Sequence, residues 1–156
     1  MFVTMQLTRA ADYGVRAMVH LAGLPGRTRA SIAELAKAAN ASEAFLTKVL
    51  QRLANAGLIA SFRGPTGGIE LNSPAVTTSL LDVVEAIEGP IQLNLCTGPL
   101  EDAPACGRQS WCAVHLVWAR AQAGLREVLR GATLADLARD SAMRVEVLPA
   151  ISTISL

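Results

Sequence analysis

All three cysteines of this chain fall in one stretch, Cys96-x9-Cys106-x5-Cys112, and His115 follows three residues later. Thiolates gathered so closely suit a metal ion or an iron-sulfur cluster, because soft sulfur donors favour iron and zinc. Most clusters take four thiolates, so three cysteines leave one position for another donor. His115 and a carboxylate near the N-terminus, Asp12, are the candidates. Two blander arrangements use the same cysteines: one disulfide with a spare thiol, or three small buried side chains. A zinc site built from the same four residues is a further alternative. The sequence offers neither a Cys-x-x-Cys pair nor a Cys/His/Asp group outside the loop, so an enzyme working through a reactive cysteine is not expected.

The elements ahead of the loop must position it and give it something to control. Leu7, Ala11, Val15, Met18, Val19 and Ala22 recur at three- and four-residue steps, which predicts a first helix from about Thr8 to Ala22. Gly23, Pro25 and Gly26 end it. Ser31 with Glu34 has the capping-box spacing that opens a short helix, and Asn40-Ala41 forms a turn. Ser42 starts a third helix with Phe45, Leu46, Val49, Leu50 and Leu53 on its apolar side, closed by Gly57. Two short helices across a tight turn make a helix-turn-helix, whose second helix enters the major groove. The outward positions of that helix are Glu43, Ala44, Thr47, Lys48, Gln51 and Arg52. Leu58 to Phe62 and Ile69 to Leu71, joined by Arg63-Gly64-Pro65-Thr66-Gly67-Gly68, read as a β-hairpin and therefore as a wing. Its glycines let backbone approach phosphate, and Arg63 brings charge. The hairpin is not a P-loop, since no Lys-Ser/Thr follows and no helix opens after Gly68.

Beyond Pro74, Thr78 or Ser79 caps a helix through Leu80, Leu81, Val83, Val84 and Ile87, ended by Gly89-Pro90. The cysteine loop comes next. Trp111 to Leu129 then holds Val114, Val117, Trp118, Ala121, Leu125, Val128 and Leu129 at helical spacing, an apolar stripe too long for a small winged helix to cover alone. A twofold copy would cover it and would match a palindromic operator. Thr133 caps a last helix through Leu134, Leu137 and Ala138. The tail from Val145 to Leu156 is apolar without a period.

The chain has 156 residues and a net charge of +1. Up to Ala75, eight basic residues stand against four acidic ones, a balance of +4, and the remainder stands at −3. That distribution fits a phosphate-facing front joined to a rear that does not touch DNA. Met1 to Gln6 lacks a charged segment followed by a long apolar one, and no apolar run approaches the roughly 18 residues needed to span a bilayer. A cytoplasmic protein with reduced thiols, and no membrane partner, is expected.

Read together, these motifs resemble the winged-helix iron-sulfur regulators that include IscR and NsrR. The resemblance runs from Met5-Gln6-Leu7-Thr8 to Leu134-Ala135-Asp136-Leu137. Its sharpest parts are Asp12-Tyr13-Gly14-Val15-Arg16, Leu46-x-Lys48-Val49-Leu50-x-x-Leu53, Gly57-Leu58-Ile59, the wing Arg63-Gly64-Pro65-x-Gly67-Gly68, and the cysteine loop. It implies that Cys96, Cys106 and Cys112 hold a 4Fe-4S or 2Fe-2S cluster. IscR-like members add a histidine that corresponds to His115, and NsrR-like members instead take a carboxylate from the first helix, often of the partner subunit, that corresponds to Asp12. The nine residues between Cys96 and Cys106 exceed the family's usual spacing, which leaves the cluster type open. Asp12 is favoured as fourth ligand, because an oxygen donor is easily replaced in a sensor.

The expected protein is mainly α: a winged helix-turn-helix at residues 1–75, the cysteine loop and dimerisation helices at 76–145, and a tail at 146–156. Its expected function is that of a homodimeric transcription regulator, a repressor or activator, that binds double-stranded DNA. Thr47, Lys48, Gln51, Arg52, Arg63, Gly67 and Gly68 are the expected DNA contacts, and nitric oxide, redox state or iron-sulfur status is the signal. Loss of the cluster would relax the segment from Cys96 to Cys112 and change the spacing of the two recognition helices. The competing reading within regulation is a metal-free thiol switch.

Overall fold

Thr8 turns its hydroxyl back on the first helix and accepts the N–H groups of Ala10 and Ala11, so α1 begins at Arg9 and runs to Gly23. A computed structural model describes residues 7–26, 28–98 and 110–142 of the chain. In it α1 is followed by α2 (Ile32–Ala39), α3 (Glu43–Asn55), β1 (Ile59–Phe62), β2 (Gly68–Leu71), α4 (Leu80–Glu88), a single 3-10 turn (Leu95–Thr97), α5 (Ala113–Gly131) and α6 (Leu134–Ala142). The order is that of a winged helix followed by three added helices.

The face that α1 buries is not quite the one its spacing predicts. Ala11, Gly14, Ala17, Met18 and Leu21 are buried, whereas Leu7 is exposed and Val15, Val19 and Ala22 are half-buried. The cause is that α1 is surrounded: α2, α3, α4 and α6 all pack against it. Such crowding needs a small residue at the crossing. A Cβ on Gly14 would stand 2.2 Å from Cδ1 of Ile87 and 3.0 Å from Cγ1 of Val49, so α1 meets α3 and α4 closely only because position 14 has no side chain.

Ser31 caps α2 by accepting the Glu34 N–H, but the reciprocal half of the expected box is missing. Glu34 instead pairs with Nε2 of His20 at 3.0 Å, which ties α2 to α1. Asn40, at φ 54°, ends α2 in the left-handed region that Asn tolerates, and the Ala41 N–H returns to the Ala36 carbonyl. That reversal sets the turn before α3. Leu46, Val49, Leu50 and Leu53 of α3 are buried, while Phe45 stays 40% exposed and meets Tyr13 edge-on.

One core runs through the fold. Met18, Leu35, Leu46, Leu53, Val83, Ile87 and Leu134 belong to a single buried cluster, so side chains on both sides of Ala75 share it. Ser79 and Asp82 close a full capping box at the start of α4. Next to it, Leu80 donates to the Ala132 carbonyl and Leu134 to the Thr78 carbonyl, which ties the start of α6 to the start of α4 while α6 packs on α1. Thr133 caps α6 and donates its hydroxyl to Asp136, a bond that holds the Asp136 carboxyl below its ordinary 3.8. The tail read at 146–156 lies outside the described residues, as do Met1 to Gln6. Among the described residues no helix is long and apolar enough to cross a membrane.

Candidate nucleic-acid interface and cysteine pocket

α3 presents Glu43, Ala44, Thr47, Lys48, Gln51 and Arg52 to solvent, all six of the positions expected to face outward. They differ in what else they do. The Thr47 hydroxyl donates to the Glu43 carbonyl at 2.7 Å, and the Gln51 amide to Asn55 at 3.3 Å. Arg52 reaches across to α4, where Nη1 donates to the Ile87 carbonyl at 2.8 Å. It therefore secures α3 against the last turn of α4, a role its position in the sequence does not announce.

The wing pairs Ile59 with Leu71 and Phe62 with Gly68 in antiparallel register. Arg63 stands exposed where the chain leaves β1. Gly64 to Gly67 form a turn closed by the Gly67 N–H on the Gly64 carbonyl, 2.9 Å. A Cβ at Gly67 would lie 2.4 Å from the Phe62 carbonyl oxygen, and Gly68 sits at φ 143° with its Cα hydrogen facing the Ala30 backbone. Both glycines are thus required by the wing itself, whatever they touch outside it.

A third strand-like pairing was not legible beforehand. Ala30, in the connection between α1 and α2, exchanges two backbone hydrogen bonds with Ile69, at 3.0 and 2.9 Å. Its neighbour Arg29 donates Nε to Glu70 at 3.0 Å and Nη1 to the Thr66 carbonyl at 3.2 Å, and its guanidinium lies 3.6 Å from the centre of the Phe62 ring. Partners some forty residues away leave no local pattern to read.

At the other end of the molecule, the 3-10 turn carries Cys96, and Cys112 is the residue that opens α5. Gln122 of α5 fastens that turn: Oε1 accepts the Leu93 N–H and the Thr97 hydroxyl, and Nε2 donates to the Thr97 carbonyl. Glu85 of α4 accepts the Ile91 N–H and forms an ion pair with Arg126. Cys96, His115, Gln122, Arg126 and Arg130 line one pocket of about 460 Å³. Nδ1 of His115 is buried and has no hydrogen-bond partner among the described residues. The backbone N–H of His115 bonds the Cys112 carbonyl at 3.1 Å, so the two residues share the first turn of α5.

Cys106 lies outside the described residues. Among those described, no three His, Cys, Asp or Glu side chains stand together as a metal-binding group. Asp12 is not among the described residues that line the Cys96 pocket; it is half-exposed on α1 and paired with Arg16 at 2.9 Å. Gln122, Glu85 and Arg29 are the positioning residues that sequence reasoning missed.

A helix-turn-helix, a hairpin packed beside its recognition helix and a long exposed helix beyond define a winged-helix transcription regulator. Residues 7–140 match the Rrf2 model, that of an iron-dependent transcriptional regulator, and the chain belongs to the Rrf2 family. It is similar to CymR, the global cysteine regulator of B. subtilis, at 32% identity over 87% of this chain and 98% of that one, with a TM-score of 0.68. The oxidised form of Staphylococcus aureus CymR is 31% identical over 86% of this chain and 96% of its own, TM-score 0.64. T. potens IscR is 26% identical over 88% of each chain, TM-score 0.69. Members of this family are transcription regulators rather than enzymes, and they bind DNA.

Proposed function

We propose that the protein is a homodimeric regulator that binds a palindromic operator and responds to nitric oxide, redox state or iron-sulfur supply through a cluster. Cys96, Cys106 and Cys112 would hold it, with His115 as the fourth donor from the same chain. The observation that carries this reading is His115 itself, which lines the pocket with Cys96 and has a buried, unpartnered Nδ1. A buried polar atom without a partner costs stability, and a bound metal centre would supply the missing interaction. Asp12, the donor favoured from sequence, has its carboxylate engaged by Arg16.

When bound, the cluster supplies iron that reacts with nitric oxide or changes oxidation state. The chain's own residues supply the rest. Gln122 and Glu85 fix the segment on either side of Cys96, and Cys112 begins α5, so a change in what the thiols hold would act on α5 directly. Residues 1–75 would contact DNA through Thr47, Lys48, Gln51, Arg63 and the Gly67-Gly68 backbone. Arg52 would contribute mainly by holding α3 in place. Residues 76–145 would sense and dimerise, in the reducing cytoplasm.

The metal-free thiol switch is the second reading, and the likeness to the oxidised form of S. aureus CymR favours it. Two of the thiols would lose two electrons and two protons to a peroxide and form a disulfide. Iron and acid-labile sulfide assays on protein purified without oxygen separate the two readings. Both elements bound supports the cluster; neither bound, with a disulfide forming under peroxide, supports the switch.

A further inference from the structure

The wing does not hang from its own hairpin alone. Two strands of four residues each are marginal in water. Arg29 reaches the hairpin from outside and meets it at three points: the Glu70 carboxylate on β2, the Thr66 carbonyl in the turn and the Phe62 ring on β1. Beside it, the Ala30–Ile69 hydrogen bonds fasten the same edge, and a Cβ on Gly68 would stand 3.0 Å from the Cβ of Arg29. The charge of Arg29 is answered by Glu70, whose side chain is only 14% exposed.

We propose that Arg29 is a positioning residue for DNA binding, a clamp that sets the wing so that Arg63 meets the phosphate backbone. This rests on the reading of the wing as a DNA contact. The planar fork of arginine serves Glu70 and Thr66 together while its face lies on Phe62, and a lysine ammonium cannot do all three. Charge at position 29 is therefore not sufficient; the fork is needed.

The test uses full-length dimeric protein in its DNA-binding state, an operator fragment selected from random duplexes, and binding measured at several salt concentrations. R63A should weaken binding and lower the salt slope by about 1. R29A and R29K should both weaken binding and lower the slope by no more than R63A does, and in either background R63A should cost less than in the wild type, by about 2-fold or more, with little further fall in slope. Amide exchange at Gly67 should quicken in both Arg29 variants, while exchange in α1 and α4 stays at the wild-type rate. If R63A binds like the wild type, the wing reading fails and the clamp falls with it. If R63A acts as expected but R29K binds normally, or the double variant R29A/R63A lowers the slope by about 2, Arg29 is itself a phosphate contact and the clamp is overturned. Unchanged exchange at Gly67 in R29A overturns it as well.

Discussion

At the scale of single residues, the cysteine pocket turns on His115 and Asp12. An imidazole is a firmer partner for iron than a carboxylate oxygen beside thiolates, and His115 has an unsatisfied buried nitrogen to offer. His115→Ala should change the absorption or Mössbauer signature of the bound cluster and speed its loss to nitric oxide. Asp12→Ala should leave both near wild type, because Asp12 already pairs with Arg16. The reverse pattern in those spectra would return the fourth position to Asp12. Sequence could nominate both residues, since type and spacing are local; it could not choose, since burial and hydrogen bonding are not. The same limit explains Arg52. Its outward phase on α3 was legible, but the Ile87 carbonyl that engages it comes from thirty-five residues away.

Among the elements, α5 has two faces with different tasks. His115, Ala119, Gln122 and Arg126 line the cysteine pocket. Val114, Val117, Ala121, Leu125 and Val128, roughly a third of a turn around, stand exposed. Val117 is 62% exposed and Val128 71%, and with Val114, Ala121 and Leu125 they make an apolar stripe along one face of α5, the kind of surface that marks an interaction site. A second copy on this stripe would couple the pocket to the dimer through one rigid helix. Val117→Asp would place an unpaired charge in that contact and cost several kcal/mol of association. Sedimentation at micromolar concentration should then show dimeric wild type and monomeric variant; a monomeric wild type would remove the dimer from the account. α6 has the opposite character. Leu134 is fully buried in the core of the winged helix, so Leu134→Ala should cost about 2–5 kcal/mol in urea unfolding. The helix and its cap were legible from Thr133 and the apolar spacing. Its packing against α1 was not, because the half-buried edge of Val15 and Val19 resembles an ordinary margin of a one-sided amphipathic helix.

Across the whole molecule, the parts form a chain of physical contact from thiol to recognition helix. Gln122 and Glu85 hold the Cys96 segment to α5 and α4, and Arg52 holds α3 to the last turn of α4. In the proposed dimer two recognition helices would have to match the spacing of their half-sites, and a small shift relayed along this route would be enough to weaken binding. The central claim is that a cluster on the three cysteines sets DNA affinity. Its most direct test is operator binding by anaerobically purified protein, with iron and sulfide measured on the same samples, before and after nitric oxide. Wild type should carry iron and sulfide and change its affinity when nitric oxide removes them, and Cys96→Ala, Cys106→Ala and Cys112→Ala should each lack the cluster and the response. Full iron and sulfide in all three variants, or an affinity indifferent to the cluster, would contradict the account.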